Sequence, residues 1–320
     1  MREIGGFIGL DRYAGCVLHS EDIPLNSGRN CLRLLIRKKA IRRLHVPKYL
    51  CACIADVCKE ESVEVVYYSI GNDFLPVDLP QTDEWVYLVN YYGQISNEQI
   101  LSLRSLYASL IVDNVQAYFQ EPVDGVDTFY SCRKFFGVPD GAFLHSDITA
   151  DGFALDVSYE RMRYILGRVE RPASELYGVY LECEKDVASW PVLTMSKLTM
   201  NLLGGIDYEA VRKRRETNFS FLNERLGKIN QIKVRNVAGP YMYPLYLRHG
   251  SEIRKDLLAS KIYIPTLWPD VFGICEENEL EYDMTLNILP LPCDQRYGES
   301  DMQFMVDELI ASLHRFGYDE

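Results

Sequence analysis

An α/β protein is the fold this sequence predicts, with a mostly parallel sheet in a large domain and a smaller C-terminal α+β domain. Three observations predict it. Helix-like and strand-like segments alternate at short intervals over the first 145 residues, which implies parallel strands covered by helices on both faces. A helical, charged stretch follows from about Asp151 to Leu226. Beyond it, strand and helix signals return as a separate, smaller unit. At 320 residues the chain can bury a large core, and the division falls between residues 1–205 and 206–320.

The elements follow in order. Asn26 or Ser27 caps a helix whose apolar positions Leu32, Leu35 and Ile36 recur at helical spacing. Arg43–Val46 is a short strand ending at Pro47, and a helix over Leu50–Lys59 follows it. The β-branched and aromatic run Val63–Ile70 is a strand, as is Trp85–Tyr91. Ser96 and Gln99 form a capping box for a helix reaching Leu106. Leu110–Asp113 and Asp127–Ser131 are the next strands. DYEAVRKRRETNFSFLNERL is a long helix leading into the smaller domain, with Arg212–Arg215 on its solvated face. There Tyr241–Leu247 and Thr285–Leu289 read as strands, Ser251–Ser260 as a helix, and Ser300–Arg315 as a closing helix opened by a Ser300–Gln303 capping box.

Composition is that of an ordinary globular protein, 48% hydrophobic and 25% charged. The net charge of −12 argues against nucleic acid or an anionic membrane as a partner. No stretch approaches the roughly 18 apolar residues of a membrane span, and MREIGGFIGLDRYAG lacks the pattern of a secretory signal. Nine scattered cysteines read as reduced thiols of a cytoplasmic protein. Cys51, Cys53 and Cys58 match no common zinc spacing, so no metal is expected.

Chemistry concentrates between Ser109 and Leu144. Asp113 ends an apolar strand-like run, Gln116 follows three residues later, and Lys134 leads into FFGVPDGA. Open parallel sheets bind ligands at the carboxyl ends of their strands, where Asp113 and the Ser131–Lys134 segment both fall. A strand-end carboxylate and a lysine in apolar surroundings are the parts that hold pyridoxal phosphate (PLP). The amine forms the Schiff base, and the carboxylate pairs with the protonated ring nitrogen. Desolvation beside Phe135 and Phe136 would make the Lys134 amine a better nucleophile. Ser27-Gly28-Arg29, just before the first helix, suits a phosphate dianion. The plainer alternatives are a capped helix at Ser27, a turn residue at Asp113 and a snorkelling lysine at 134.

LNSGRNCLRLLI, HVPKYL, WVYLVNYYGQ, IVDNVQAYF and YSCRKFFGVPDGA, in that order, resemble the DegT/DnrJ/StrS-type sugar aminotransferases. These are PLP enzymes of fold type I, the aspartate-aminotransferase fold. The resemblance covers roughly residues 25–145 and continues more loosely beyond. It implies that Ser27, Gly28 and Arg29 hold the cofactor phosphate and that Asp113 is the pyridinium partner. It also implies that Gln116 faces the phenolic oxygen and that Lys134 is the Schiff-base lysine. Arg29 stands where the family has a small hydroxyl residue, which leaves the contact there to the backbone. The family's ring-stacking aromatic corresponds to Cys51, so either Cys51 or Tyr49 takes that place. Ser131 is a further phosphate ligand, although the family's serine stands further upstream.

The resemblance implies a homodimer that takes an amino group from a donor such as glutamate. The acceptor it implies is a keto sugar linked to a nucleotide, in polysaccharide or deoxysugar biosynthesis. A non-catalytic PLP-fold regulator or scaffold is the alternative, motivated by the short chain and by a middle region with no counterpart in the family. A PLP-dependent sugar dehydratase usually carries a histidine in place of the lysine, and Lys134 argues against it.

Overall fold

A computed structural model describes residues 4–318; the first three residues of the N-terminal stretch lie outside it. Seven strands form the principal sheet: β1 (Ile23–Leu25), β2 (Arg43–Pro47), β3 (Glu64–Tyr68), β4 (Trp85–Val89), β5 (Ser109–Asp113), β6 (Asp127–Ser131) and β7 (Ala142–His145). Their order across the sheet is β1-β7-β6-β5-β4-β2-β3. The β2–β6 pairings are parallel, and β7 alone runs antiparallel, to β6 on one side and β1 on the other. The predicted α/β class with a mostly parallel sheet is therefore the observed one. β1 and β7 are additions to the strands that the sequence pattern predicts.

The connecting helices form where the sequence supplies caps and an apolar face. In α1 (Gly28–Lys38) the Ser27 hydroxyl accepts from the Asn30 N–H, Cys31, Leu32, Leu34, Leu35 and Ile36 are buried, and Arg37 and Lys38 occupy the last turn. Those cations suit the negative end of the helix dipole. α2 (Ala52–Glu60) follows β2, with Cys51 as its N-cap. α3 (Asn97–Leu106) opens with the predicted Ser96–Gln99 capping box. Leu44, Val86, Ile111 and Val112, on the central strands, are fully buried.

After β7 the chain forms α4 (Arg163–Glu170) and α5 (Ala173–Val187), then α6 (Lys197–Leu203) and α7 (Tyr208–Leu226). No residue of α4 is buried, and in α5 only Val187 is. β8 (Met242–Tyr246) and β9 (Ile288–Pro292) pair antiparallel as a second sheet. α8 (Gly250–Ala259), α9 (Leu280–Asn287) and α10 (Glu299–His314) complete the chain. Phe219, Leu222, Tyr243, Leu289, Met305 and Leu309 share one core that joins α7, the second sheet and α10.

Two predicted elements are corrected. Thr285–Leu289 is not a strand throughout: α9 continues to Asn287, with the Thr285 hydroxyl donating to the Glu281 carbonyl at 2.8 Å, and β9 begins at Ile288. A short apolar run is ambiguous between the two periods, and the backbone bond from the Ile288 N–H to the Met284 carbonyl decides it for the helix. The closing helix is not opened by Ser300 and Gln303. Its N-cap is Gly298, whose N–H donates to the Asp301 carboxylate at 2.8 Å, while Gln303 turns to Asp307. Among the described residues no helix is long and apolar enough to cross a membrane.

Candidate active site

Parallel strands end on one edge of the sheet, and the connections that leave β1, β2, β5 and β6 there carry the candidate residues. Asp113 is the last residue of β5 and is 5% exposed. Its Oδ2 accepts from the Tyr87 hydroxyl at 2.6 Å and its Oδ1 from the Val115 N–H at 2.9 Å. Burial pushes its carboxyl up from the ordinary 3.8, while the Lys134 ammonium and the two hydrogen bonds act in the opposite direction and only partly offset it. Lys134 closes a 3₁₀ turn, Cys132–Lys134, that leaves β6. Its amine lies 5.5 Å from the centre of the Tyr241 ring and has no ion-pair partner among the described residues.

Aromatic packing holds that turn. Phe135 and Phe136 are buried with Tyr118, Tyr130 and Phe143, and full burial of such side chains is worth roughly 1.5–3 kcal/mol each. A second support comes from α7. Arg215, expected on a solvated face, is 1% exposed. Its guanidinium donates to the Phe135 carbonyl at 3.3 Å, the Pro240 carbonyl at 2.9 Å and Gln295 Oε1 at 2.7 Å, and it stacks 4.5 Å over the Phe135 ring. Gln295 Nε2 donates to the same Phe135 carbonyl at 2.7 Å. The charge tolerates burial because each of these acceptors faces it.

Ser27 caps α1, and its hydroxyl is engaged with the Asn30 N–H at 3.3 Å. Gly28 opens the helix against the β5 and β6 ends: a Cβ there would stand 3.5 Å from Val115 and Phe129. Arg29 is half-buried, with its charge near Cys51 and Cys53. Ser131 is the last residue of β6, paired with Ala142. The two residues expected as alternatives for the stacking position have different surroundings. Tyr49 is fully buried, its ring 5.3 Å from Tyr91 and 5.2 Å from Trp268. Cys51 instead feels Lys134: its thiol is pulled down to about 6 by a hydrogen bond from Cys53, aided by the Lys134 and Arg29 charges, against the opposing effect of burial.

Gln116 provides the test of whether a further group fits here. Its Oε1 accepts from the Tyr92 N–H at 2.8 Å, yet its Nε2 is buried with no partner. A buried amide donor left unpaired costs about 1–3 kcal/mol, and an acceptor on a bound molecule would recover that energy. A cavity of about 310 Å³ beside Gln116 is lined by Gly93, Arg235 and Pro240 and by none of Ser27, Asp113 and Lys134, so it is separate from the strand-end residues. The residues therefore fit PLP: a buried carboxylate, an unpaired donor, a free amine and a helix N-terminus. Elsewhere, Cys275, Glu279 and Glu281 bring three ligand atoms within 4.8 Å of one another. Glu279 is ion-paired with Lys48 and Glu281 accepts the Ile70 N–H, so both acids have protein partners.

No protein-family model matches the sequence, and no curated protein is significantly similar to it. Solved structures do match. The DegT DnrJ EryC1 StrS aminotransferase from Brucella abortus is 14% identical with a TM-score of 0.61, over 90% of this chain and 85% of that one. The sugar aminotransferase CalS13 from Micromonospora echinospora is 16% identical with a TM-score of 0.63, over 91% and 86%. The PLP-form structure of Spr1654 from Streptococcus pneumoniae is 14% identical with a TM-score of 0.61, over 91% and 87%. The chain has the fold of these aminotransferases. Sequence reasoning missed Tyr87 beside Asp113, Tyr241 beside Lys134, and Arg215 and Gln295, which hold the Phe135 carbonyl. Tyr87 carried a signal, since it lies on a predicted strand beside the one ending in Asp113.

Proposed function

We propose that this chain is a PLP-dependent aminotransferase of the sugar-aminotransferase type. The observation that carries the reading is the buried Asp113 carboxylate at the end of β5 and Lys134 in the turn leaving its parallel neighbour β6, beside the unpaired Gln116 donor. The fold shared with CalS13 and the Brucella abortus enzyme supports it. The finer reading is transfer of an amino group from glutamate to a keto sugar linked to a nucleotide, in polysaccharide or deoxysugar biosynthesis. A cytoplasmic homodimer and a domain division near residue 205 go with it.

Bound here, PLP supplies an electron sink for charge developing on the substrate carbon. Lys134 would hold the group covalently at Nζ and, once released, move a proton at that same nitrogen as base and then acid. Asp113 would keep a proton on the ring nitrogen. That role repays the carboxylate's burial, because a cation within about 4 Å stabilises the ionised form. Gln116 Nε2 would donate to the ring's oxygen, and Ser27, Gly28 and Arg29 would receive the phosphate at the start of α1, where free N–H groups and the dipole favour an anion. Cys51 would lie against the ring face, with Tyr49 as packing behind it. Phe135 and Phe136 exclude water from the turn.

The test is spectroscopic. Purified protein incubated with PLP should show visible absorbance that sodium borohydride fixes to Lys134, and glutamate should bleach it. A borohydride-reducible chromophore that persists in Lys134→Ala refutes the choice of lysine. A chromophore that no amino donor bleaches favours a regulator or scaffold.

A further inference from the structure

We propose that Arg133 binds the distal carboxylate of a dicarboxylic amino donor, and that Glu184 occupies its place until the donor arrives. The proposal rests on the aminotransferase reading above and names the group that would select the donor.

Arg133 immediately precedes Lys134 in the turn that leaves β6. Its side chain is 16% exposed and its guanidinium donates from one Nη to a single Glu184 oxygen, while its Nε is buried without a partner. The planar fork is thus half used, although guanidinium groups pair best with carboxylates through two parallel bonds. The guanidinium is also positioned from behind. It lies 5.6 Å from the Trp190 ring centre, and Arg161 covers the same ring at 4.1 Å. Arg161 is paired with Asp156 at 2.8 Å, so it has its own counter-ion. Arg133 has Glu184 as its counter-ion, with the Tyr164 hydroxyl also close to the guanidinium.

Glu184 is suited to leave. It sits on α5, which contributes one buried residue, and α5 packs against α4, which contributes none. Segments with so little buried apolar contact open at low free energy. Arg133 and Lys134 are consecutive in the turn that leaves β6, and the Tyr241 ring underlies the Lys134 amine at 5.5 Å. A donor with its α-carbon at Lys134 could therefore direct a second carboxylate toward Arg133. That carboxylate replaces Glu184 like for like, so charge balance at the guanidinium is kept. Alanine has no such group.

The probe is glutarate, which carries two carboxylates and no amine to react. Titration calorimetry on the full chain, with and without PLP, should show glutarate binding several-fold tighter in Glu184→Gln than in wild type. Binding should be about tenfold or more weaker in Arg133→Gln, the loss expected for a charge-assisted hydrogen bond. Arg133→Lys, which keeps the charge without the fork, should fall between and guards against a folding defect in the glutamine variant. With PLP bound, Arg133→Gln should lose the preference for glutamate over alanine. Equal glutarate affinity in wild type and Arg133→Gln, or no binding to Glu184→Gln, overturns the proposal. Normal glutarate behaviour in a protein that no amino acid bleaches supports the carboxylate site and refutes the aminotransferase reading.

Discussion

Asp113→Asn separates what the fold wants at this position from what the chemistry wants. Burial raises the Asp113 carboxyl above its ordinary 3.8 in the cofactor-free protein. For an acid whose folded value is raised, the favourable contribution is present below the unfolded value and is lost as pH rises through the folded one. At neutral pH the ionised Asp113 therefore destabilises the empty protein, by about 1.4 kcal/mol for each tenfold weakening of the acid. Asparagine keeps the shape and removes that penalty. The Val115 N–H can still donate to the amide oxygen, and the Tyr87 hydroxyl, 2.6 Å from Oδ2 in the wild type, can rotate to accept from the amide nitrogen. Exchanging a charged acceptor for a neutral one gives back about 1 kcal/mol of hydrogen-bond energy. The empty variant should be as stable as wild type or slightly more so.

With PLP the order should reverse. A ligand at about a hundred times its dissociation constant adds about 2.7 kcal/mol to the folded state, and the amide of the variant cannot hold a proton on the ring nitrogen as a carboxylate does. Thermal unfolding at about pH 7.5, above the ordinary carboxylate range, reads both effects when run with and without PLP. Wild type should gain several degrees on PLP addition, and the variant should gain less from an equal or higher start. An empty variant destabilised by more than about 3 kcal/mol, well beyond the hydrogen-bond balance above, together with an unchanged PLP shift, would refute the reasoning. Asp113 would then be a structural strand-end residue.

Three further outcomes follow from the same side chains. Cys51, whose thiol is pulled down by Cys53, Lys134 and Arg29, should be alkylated by iodoacetamide faster at neutral pH than the buried cysteines. Bound PLP should protect it; labelling that PLP does not slow would remove Cys51 from the ring face. Arg215→Met leaves the Pro240 carbonyl and Gln295 without their buried donor and should cost about 2–4 kcal/mol. It should also weaken PLP binding by loosening the turn at Phe135, and a variant with wild-type melting and wild-type PLP affinity would contradict both. Gln116→Leu removes the unpaired Nε2 together with the acceptor for the Tyr92 N–H. It should lower PLP affinity about tenfold, whereas Gln116→Glu, which keeps the acceptor, isolates the donor's share in the same titration.

The parallel strands were legible because each is a run of β-branched or aromatic residues bounded by turn signals, and Arg43, Asp113 and Asp127–Ser131 mark observed ends of their strands. β1 escaped notice because it has three residues and exists only by pairing with β7, a partner far along the chain. Arg215 was misread for a different reason. The charge run RKRRE masks the periodicity, yet Arg215, Phe219, Leu222 and Leu226 fall on one helical face, and all four are buried. The stripe was present, and the charge at its first position concealed it. The surroundings of Tyr49 and Cys51 were not legible in the sequence because they depend on where α2 begins. With the first helical residue at Ala52, Cys51 becomes the N-cap, and its thiol feels the charges of Lys134 and Arg29.

The juxtaposition of Asp113 and Lys134 follows from topology more than from either residue. Parallel neighbours β5 and β6 end on the same edge, so a residue at the end of one and a residue in the turn leaving the other must lie near each other whatever their chemistry. The same geometry brings in the start of α1, through Gly28 against Val115 and Phe129. α4 and α5 have no such constraint. Their sequence buries almost nothing, so no hydrophobic stripe states which face turns inward. The Arg133–Glu184 pair and apolar contacts such as Ile165 against Gly137 tie them to the turn that follows β6. If Arg133 receives the donor carboxylate as proposed, this little-buried segment is where substrate selection can change without disturbing the sheet.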